Sequence, residues 1–425
     1  MSGAKTSGSG GTSGQPASGG ALTGLRVVEL ANERCAWAGK LLADMGADVI
    51  LVEPPAGDAA REYGPFLEDR PGPDRSLYWW HHNTSKRGIV LDLETESGRA
   101  ALRKLAATAD VLLESEAPGT LAAKGLDHPE LCAANPRLVY CSITPFGRSG
   151  PRRDELATDL TVLAAGGPVW MNGYDDHSIP PMRGLGHQGY AIGNHYAVMS
   201  ILTAILWRGA SGEGQHVDVS LHAAANVTTE AGSYFWLVAK ETVQRQTGRH
   251  AGPAPSMPSQ MRCGDGRYVN TGVPPRKPLE FKRTLEWLRS LGLEEKLPEA
   301  VFLQVGADME SIDLSKIGRD DTVTAVFGAG REAMNLIAQH VSAHEFFLGA
   351  QRAGLAVGAI LSPEEAFEDV HYKARGMQVE VEHPELGRSV RYPGAPYALE
   401  KGAWRIARRA PRLGEHTQEV LAELG

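Results

Sequence analysis

From residue 25 onward, short apolar runs alternate with stretches whose apolar residues recur at helical spacing. Residues 25–30 (LRVVEL) and 48–53 (DVILVE) read as strands with a helix between them, a β-α-β unit closed by Pro54 and Pro55. The unit recurs: residues 88–93 read as a strand, 97–107 as a helix, 110–113 and 138–143 as further strands. Strands alternating with helices predict an α/β fold whose mostly parallel sheet is covered on both faces. A turn-rich stretch over 166–184 interrupts the pattern; residues 190–207 then read as a long apolar helix, and 216–221 (HVDVSL) as a half-exposed strand. Five prolines, at 253, 255, 258, 274 and 275, mark a shift in composition, after which 278–291 and 333–353 are each expected to form a helix of a smaller domain. Residues 2–20, with seven Gly and five Ser, read as a disordered tail, because ordering them would bury nothing.

Composition narrows the class. The 425 residues exceed what one core usually serves, and 42% hydrophobic against 22% charged residues marks a folded protein. A formal charge of −8 without a basic stripe argues against nucleic acid or an anionic membrane as partner. The four cysteines are too far apart in sequence for a C-x-x-C pair and too few for a disulfide scaffold. With no apolar leader or membrane span, the expected location is cytoplasmic.

The first strand-to-helix junction, residues 31–36 (ANERCA), carries no glycine, which disfavours a dinucleotide-binding dehydrogenase. His81 and His82 are the only adjacent histidines; on a strand they would face opposite ways, which weakens a metal reading. Asn83, Lys86 and Arg87 precede a strand, where a loop can present two cations and an amide to a phosphate, or simply decorate a surface. Arg61, after Gly57 and Asp58, has the same two readings; Asp159, opening an apolar helical stretch, reads as a helix cap or a catalytic carboxylate.

Five segments, in order, resemble the class III (CaiB/BaiF-type) CoA-transferases. They are residues 41–58 (LLADMGADVILVEPPAGD), 86–93 (KRGIVLDL), 212–221 (GEGQHVDVSL), 375–384 (RGMQVEVEHP) and 413–421 (LGEHTQEVL). The resemblance implies a Rossmann-like, CoA-binding large domain made from both chain ends, 21–230 and 375–425. A smaller α+β domain over 231–374 and an interlocked dimer go with it. It implies coenzyme A, as acyl-CoA, and a carboxylic acid as substrates, with no metal or redox cofactor. Transfer in that family runs through an aspartate that forms in turn a mixed anhydride and an aspartyl-CoA thioester.

The position matching that aspartate is Tyr190, preceded by Gly189, Gln188 and His187, with no carboxylate. Thr158 stands where the family's racemase branch has a histidine beside the residue matching Asp159. Residues 116–119 (EAPG) lack the arginine often found before Pro-Gly, leaving Lys124 as a phosphate contact. The candidate catalytic residues are therefore His187, Tyr190 and Asp159, and the candidate cofactor contacts Arg61, Asn83, Lys86, Arg87 and Lys124. Three readings follow: a CoA-transferase with an altered relay; a degenerate subunit pairing with an aspartate-bearing paralogue; or a CoA-ester lyase, hydratase or isomerase.

Overall fold

The computed structural model describes residues 19–271 and 274–425, so the Gly/Ser-rich tail, except for its last two residues, lies outside the described residues. The chain divides into two compact units: one takes the described residues up to Gly166, Gly184–Thr228 and Val370–Gly425, the other Gly167–Arg183 and Thr229–Asp369.

The larger unit is built on a six-stranded parallel sheet of β1 (Arg26–Leu30), β2 (Asp48–Glu53), β3 (Arg87–Val90), β4 (Val111–Glu114), β5 (Val139–Thr144) and β6 (His216–Ser220). Its strand order is β3-β2-β1-β4-β5-β6, the doubly wound arrangement in which the order reverses between β1 and β4. Every residue of β4 and β5 is buried, as expected of strands covered on both faces. Helices α1 (Ala36–Asp44), α2 (Leu77–His82), α3 (Glu96–Thr108), α4 (His128–Ala134), α5 (Asp159–Gly166), α6 (Gln188–Ser211) and α7 (Leu221–Val227) accompany these strands, and a short helix, Thr417–Ala422, follows near the C-terminus. One core layer packs Val28, Ile50, Ile89 and Leu112 of the sheet against Leu102 and Leu105 of α3 and Val420 near the C-terminus. A second joins Leu51, Trp79 and Trp80 to Val381 and Tyr392 of the hairpin Gln378–His383 and Arg388–Pro393.

Two local expectations are corrected. His81 and His82 close helix α2 rather than sit on a strand, because Ser76 caps the segment by accepting the Trp79 N–H; their rings are 4.9 Å apart. The single helix expected over 333–353 is two, Asp321–His340 and Ala343–Ala353. Ser342 starts the second through a capping box, its side chain taking the Glu345 N–H while Glu345 takes the Ser342 N–H.

The smaller unit gathers its helices and a three-stranded antiparallel sheet, Gln260–Arg262, Tyr268–Thr271 and Val357–Ala359, around Phe281, Leu285, Leu303, Met334, Ile337 and Phe346. The four cysteines are free. Among the described residues no helix is long and apolar enough to cross a membrane.

Candidate active site

Ligands of doubly wound sheets sit beyond the carboxyl ends of the strands where the strand order reverses. Here the chain leaves β1 into residues 31–35 and leaves β4 into 115–119. The first of these loops meets the start of α6 through Asn194, which is fully buried. Its side-chain oxygen accepts the Ala38 N–H at 2.7 Å, and its amide donates to the carbonyls of Arg34 and Tyr190, both at 2.6 Å.

At that helix start His187, Tyr190 and Asp159 come together. Asp159 is buried and its Oδ1 accepts the Tyr190 N–H at 2.9 Å, tying α5 to the first turn of α6. Gly189 leaves room for this contact, since a Cβ there would lie 3.1 Å from the same oxygen. The Tyr190 ring is 3% exposed and lies edge-on to the His187 ring, centroids 5.5 Å apart. Burial, with the nearby Glu33 carboxylate, pushes its phenol above the ordinary tyrosine range, against the pull of Arg34, to whose side chain it is hydrogen-bonded.

His187, half-buried, is held by Tyr78, whose hydroxyl is 2.9 Å from Nδ1. Burial raises the Tyr78 phenol far above its usual value, so it stays protonated beside the imidazole. Tyr78 in turn stacks on His82 at 4.2 Å and meets Tyr63 edge-on at 5.5 Å. Burial pushes the imidazoles of His81 and His82 down to about 3 and about 4, so both are neutral at physiological pH. The site is therefore a wall of phenols and imidazoles, with Glu33 the carboxylate whose charge reaches Tyr63, Tyr78 and Tyr190.

The five candidate cofactor contacts do not converge on one open surface. Lys86 is fully buried, its Nζ donating to Glu29 Oε1 at 2.8 Å, the Ala36 carbonyl at 2.9 Å and Asn83 Oδ1 at 2.8 Å. Asn83 is thus its partner, with its amide on the Trp79 carbonyl. Arg61 forks onto Glu53 through two 2.7 Å bonds and lies 3.9 Å above the Trp79 ring. Arg87, at the amino end of β3, joins Asp48, Glu419 and Glu423. Lys124, in a surface turn, pairs with Glu94. Among the described residues no group of three His, Cys, Asp or Glu side chains is arranged to hold a metal.

A family model described as CoA-transferase family III matches residues 22–417. The chain belongs to that family. The BbsE subunit of succinyl-CoA:(R)-benzylsuccinate CoA-transferase from Thauera aromatica is 33% identical over 400 residues, covering 94% of this chain and 93% of that one. Succinate–glutarate CoA-transferase from Agrobacterium fabrum is 32% identical, with 95% of each chain covered. A crystal structure of a CaiB/BaiF family protein from Brucella suis, 27% identical, matches with a TM-score of 0.77 over 96% of this chain and all of its own. Membership of CoA-transferase family III thus fits the sequence resemblance and the α/β fold.

Sequence reasoning did not single out Tyr78, Glu33 or Arg34 as parts of this site. The available signal was positional: Glu33 and Arg34 follow directly on the strand that ends at the reversal of strand order. Tyr78 carried none, because the 109 residues separating it from His187 hide the pairing.

Proposed function

We propose that this chain is one subunit of a two-subunit CoA-transferase that moves coenzyme A from an acyl thioester to a carboxylic acid. The covalent carboxylate is supplied by a paralogous partner. The observation that carries this reading is the start of α6. Where the family resemblance places the nucleophilic aspartate stands Tyr190, buried, its phenol raised above the usual range by burial. A phenol that stays protonated does not open a thioester at neutral pH. The nearby Asp159 holds the Tyr190 backbone. The Thauera relative, whose name describes it as a subunit, supports the same assignment.

On the partner, the carboxylate attacks the thioester carbonyl, giving a mixed anhydride and CoA thiolate. The thiolate returns to the enzyme's acyl carbon, releasing the first acid and leaving an enzyme-CoA thioester. The acceptor carboxylate then opens that thioester and the steps run in reverse order to the new acyl-CoA. In this chain the Tyr78 hydroxyl, 2.9 Å from His187 Nδ1, occupies that ring nitrogen and leaves Nε2 as the one available to a substrate.

The test mixes the chain with succinyl-CoA and a panel of carboxylic acids, alone and with an aspartate-bearing paralogue, and traps with hydroxylamine before mass spectrometry. The expected result is exchange only in the mixture, at least about 1,000-fold above the chain alone, with the adduct on the partner's aspartate. A donor-dependent adduct on the isolated chain, at Glu33 or His187 for example, would establish an altered relay instead. Consumption of the CoA ester without exchange would establish a lyase, hydratase or isomerase.

A further inference from the structure

The larger unit holds a cavity of about 490 Å³ that the site at His187 does not use. Its sides are a face of α1 and a face of α6, spaced three and four residues apart: Trp37, Leu41 and Met45 on one, Val198, Met199 and Leu202 on the other. Tyr397 and Trp404 close it from the segment that follows the hairpin. This volume falls within the range of small-molecule sites, and the lining has their usual character, aromatic and aliphatic walls with few polar groups.

Two of those polar groups point to a ligand. Lys40 lines the cavity, is 3% exposed, and donates to Asp44 Oδ2 at 2.7 Å and Thr84 Oγ1 at 2.5 Å. An ammonium has three protons, so one has no hydrogen-bond acceptor among the described residues; the further partner there is the Trp37 ring, its centroid 6.0 Å from Nζ. His81 lines the same cavity, stacked on Trp37 at 5.5 Å with an interplanar angle of 20°, and among the described residues neither of its ring nitrogens has a hydrogen-bond partner. A buried donor left unmade is costly, and a bound acceptor relieves that cost. Because Asp44 already balances the charge of Lys40, a neutral carbonyl suits the site better than a second carboxylate.

We propose that this cavity binds a small molecule consisting of a flat apolar ring with one neutral hydrogen-bond acceptor. The ring rests against the indoles of Trp37 and Trp404, and the acceptor takes the spare proton of Lys40. The site is separate from the one at His187, but a continuous series of ring contacts joins them: Trp37 to His82 at 5.9 Å, His82 to Tyr78 at 4.2 Å, and Tyr78 to His187 at 5.2 Å.

The probes are acetophenone, which has the ring and the carbonyl, and ethylbenzene, which has the ring alone. Binding to the purified full-length chain is read from tryptophan fluorescence and ligand-observed NMR, so it does not depend on any transfer activity. Acetophenone is expected to bind saturably and at least about fivefold more tightly than ethylbenzene, the worth of one hydrogen bond of about 1 kcal/mol. Leu202→Trp, which fills the cavity, and Met199→Trp, at a position already 55% exposed and so tolerant in folding, are both expected to abolish binding. The proposal is overturned if acetophenone does not saturate by about 10 mM, if ethylbenzene binds equally well, or if a folded Met199→Trp chain binds as the parent does.

Discussion

Gly39 on α1 is the position where a single methyl group should do the most damage. A Cβ built there would lie 1.7 Å from Glu29 Oε2 and 3.0 Å from Lys86 Nζ, both on side chains with no solvent exposure. Non-bonded heavy atoms settle at about 3.5–4.0 Å, so in Gly39→Ala the carboxylate must withdraw by more than about 1 Å and give up its 2.8 Å bond to Lys86. Breaking a buried ion pair costs about 3–5 kcal/mol. Lys86 keeps the Ala36 carbonyl and Asn83 as acceptors, which places the loss near the lower end. Alanine in a helix returns about 1 kcal/mol relative to glycine, leaving a net loss of about 2–3 kcal/mol. At about 2–4 °C per kcal/mol for a unit of this size, scanning calorimetry should show the larger unit melting about 4–12 °C lower. The same substitution in a Glu29→Ala background should cost less than about 1 kcal/mol, because the obstructing carboxylate is gone. A Gly39→Ala chain as stable as the parent, gaining only helix propensity, would refute the placement of Glu29 beneath α1.

Further predictions concern other buried charges. Glu114, where the chain leaves β4, is pushed up to about 7 by burial, against hydrogen bonds from Ser142 and the Glu116 N–H. Its folded value lies above the ordinary 4.5, so the native state binds the extra proton and stability falls as pH rises through that window, with no further loss above it. Glu114→Gln should flatten the fall measured by urea denaturation between pH 5 and 8 (the scale of about 1.4 kcal/mol per pKa unit); an unchanged slope counts against the assignment. Arg61→Met strands the fully buried Glu53 carboxylate and should lower stability by about 3–5 kcal/mol. Arg61→Lys should recover only part of this, because an ammonium cannot make both 2.7 Å bonds at once; full recovery in thermal melts would contradict the bidentate pairing.

What was legible in the sequence follows from how far each signal reaches. The strands of the parallel sheet announced themselves as local apolar runs, and β1, β2 and β5 fall within a residue or so of expectation. The break at Ser342 was also written locally, as Ser-x-x-Glu, but the apolar pattern runs through it and hid the cap. α2 misled for a related reason: Leu77 to Trp80 are as much at home on a strand as on a helix, and only the serine before them favours the turn. The cations were visible as residues but not as ion pairs. Lys86 finds its carboxylate 57 residues away, and Arg87 finds two more than 330 residues away, separations at which no local pattern indicates a partner. For the same reason the wall around His187 could be read only as far as its helix start.

The C-terminal contacts with β3 bear on the order in which the protein can be finished. β3 is an outer strand of the sheet, and its free side is met by the chain's last segment: the Gly88 N–H donates to His416 Nδ1, the Val90 N–H donates to Thr417 Oγ1, and the Gly88 carbonyl accepts the His416 N–H. During synthesis all six strands emerge by residue 220, while the residues that cover this edge come nearly 200 positions later. Throughout that interval the nascent sheet offers an uncovered strand, the kind of template to which another chain can add. The smaller unit, whose residues all emerge by Asp369, can complete its core first. The outer seam of the sheet thus waits for His416 and Thr417, which are made after the whole of the smaller unit, and its pairing groups stay open to another chain until those two residues arrive.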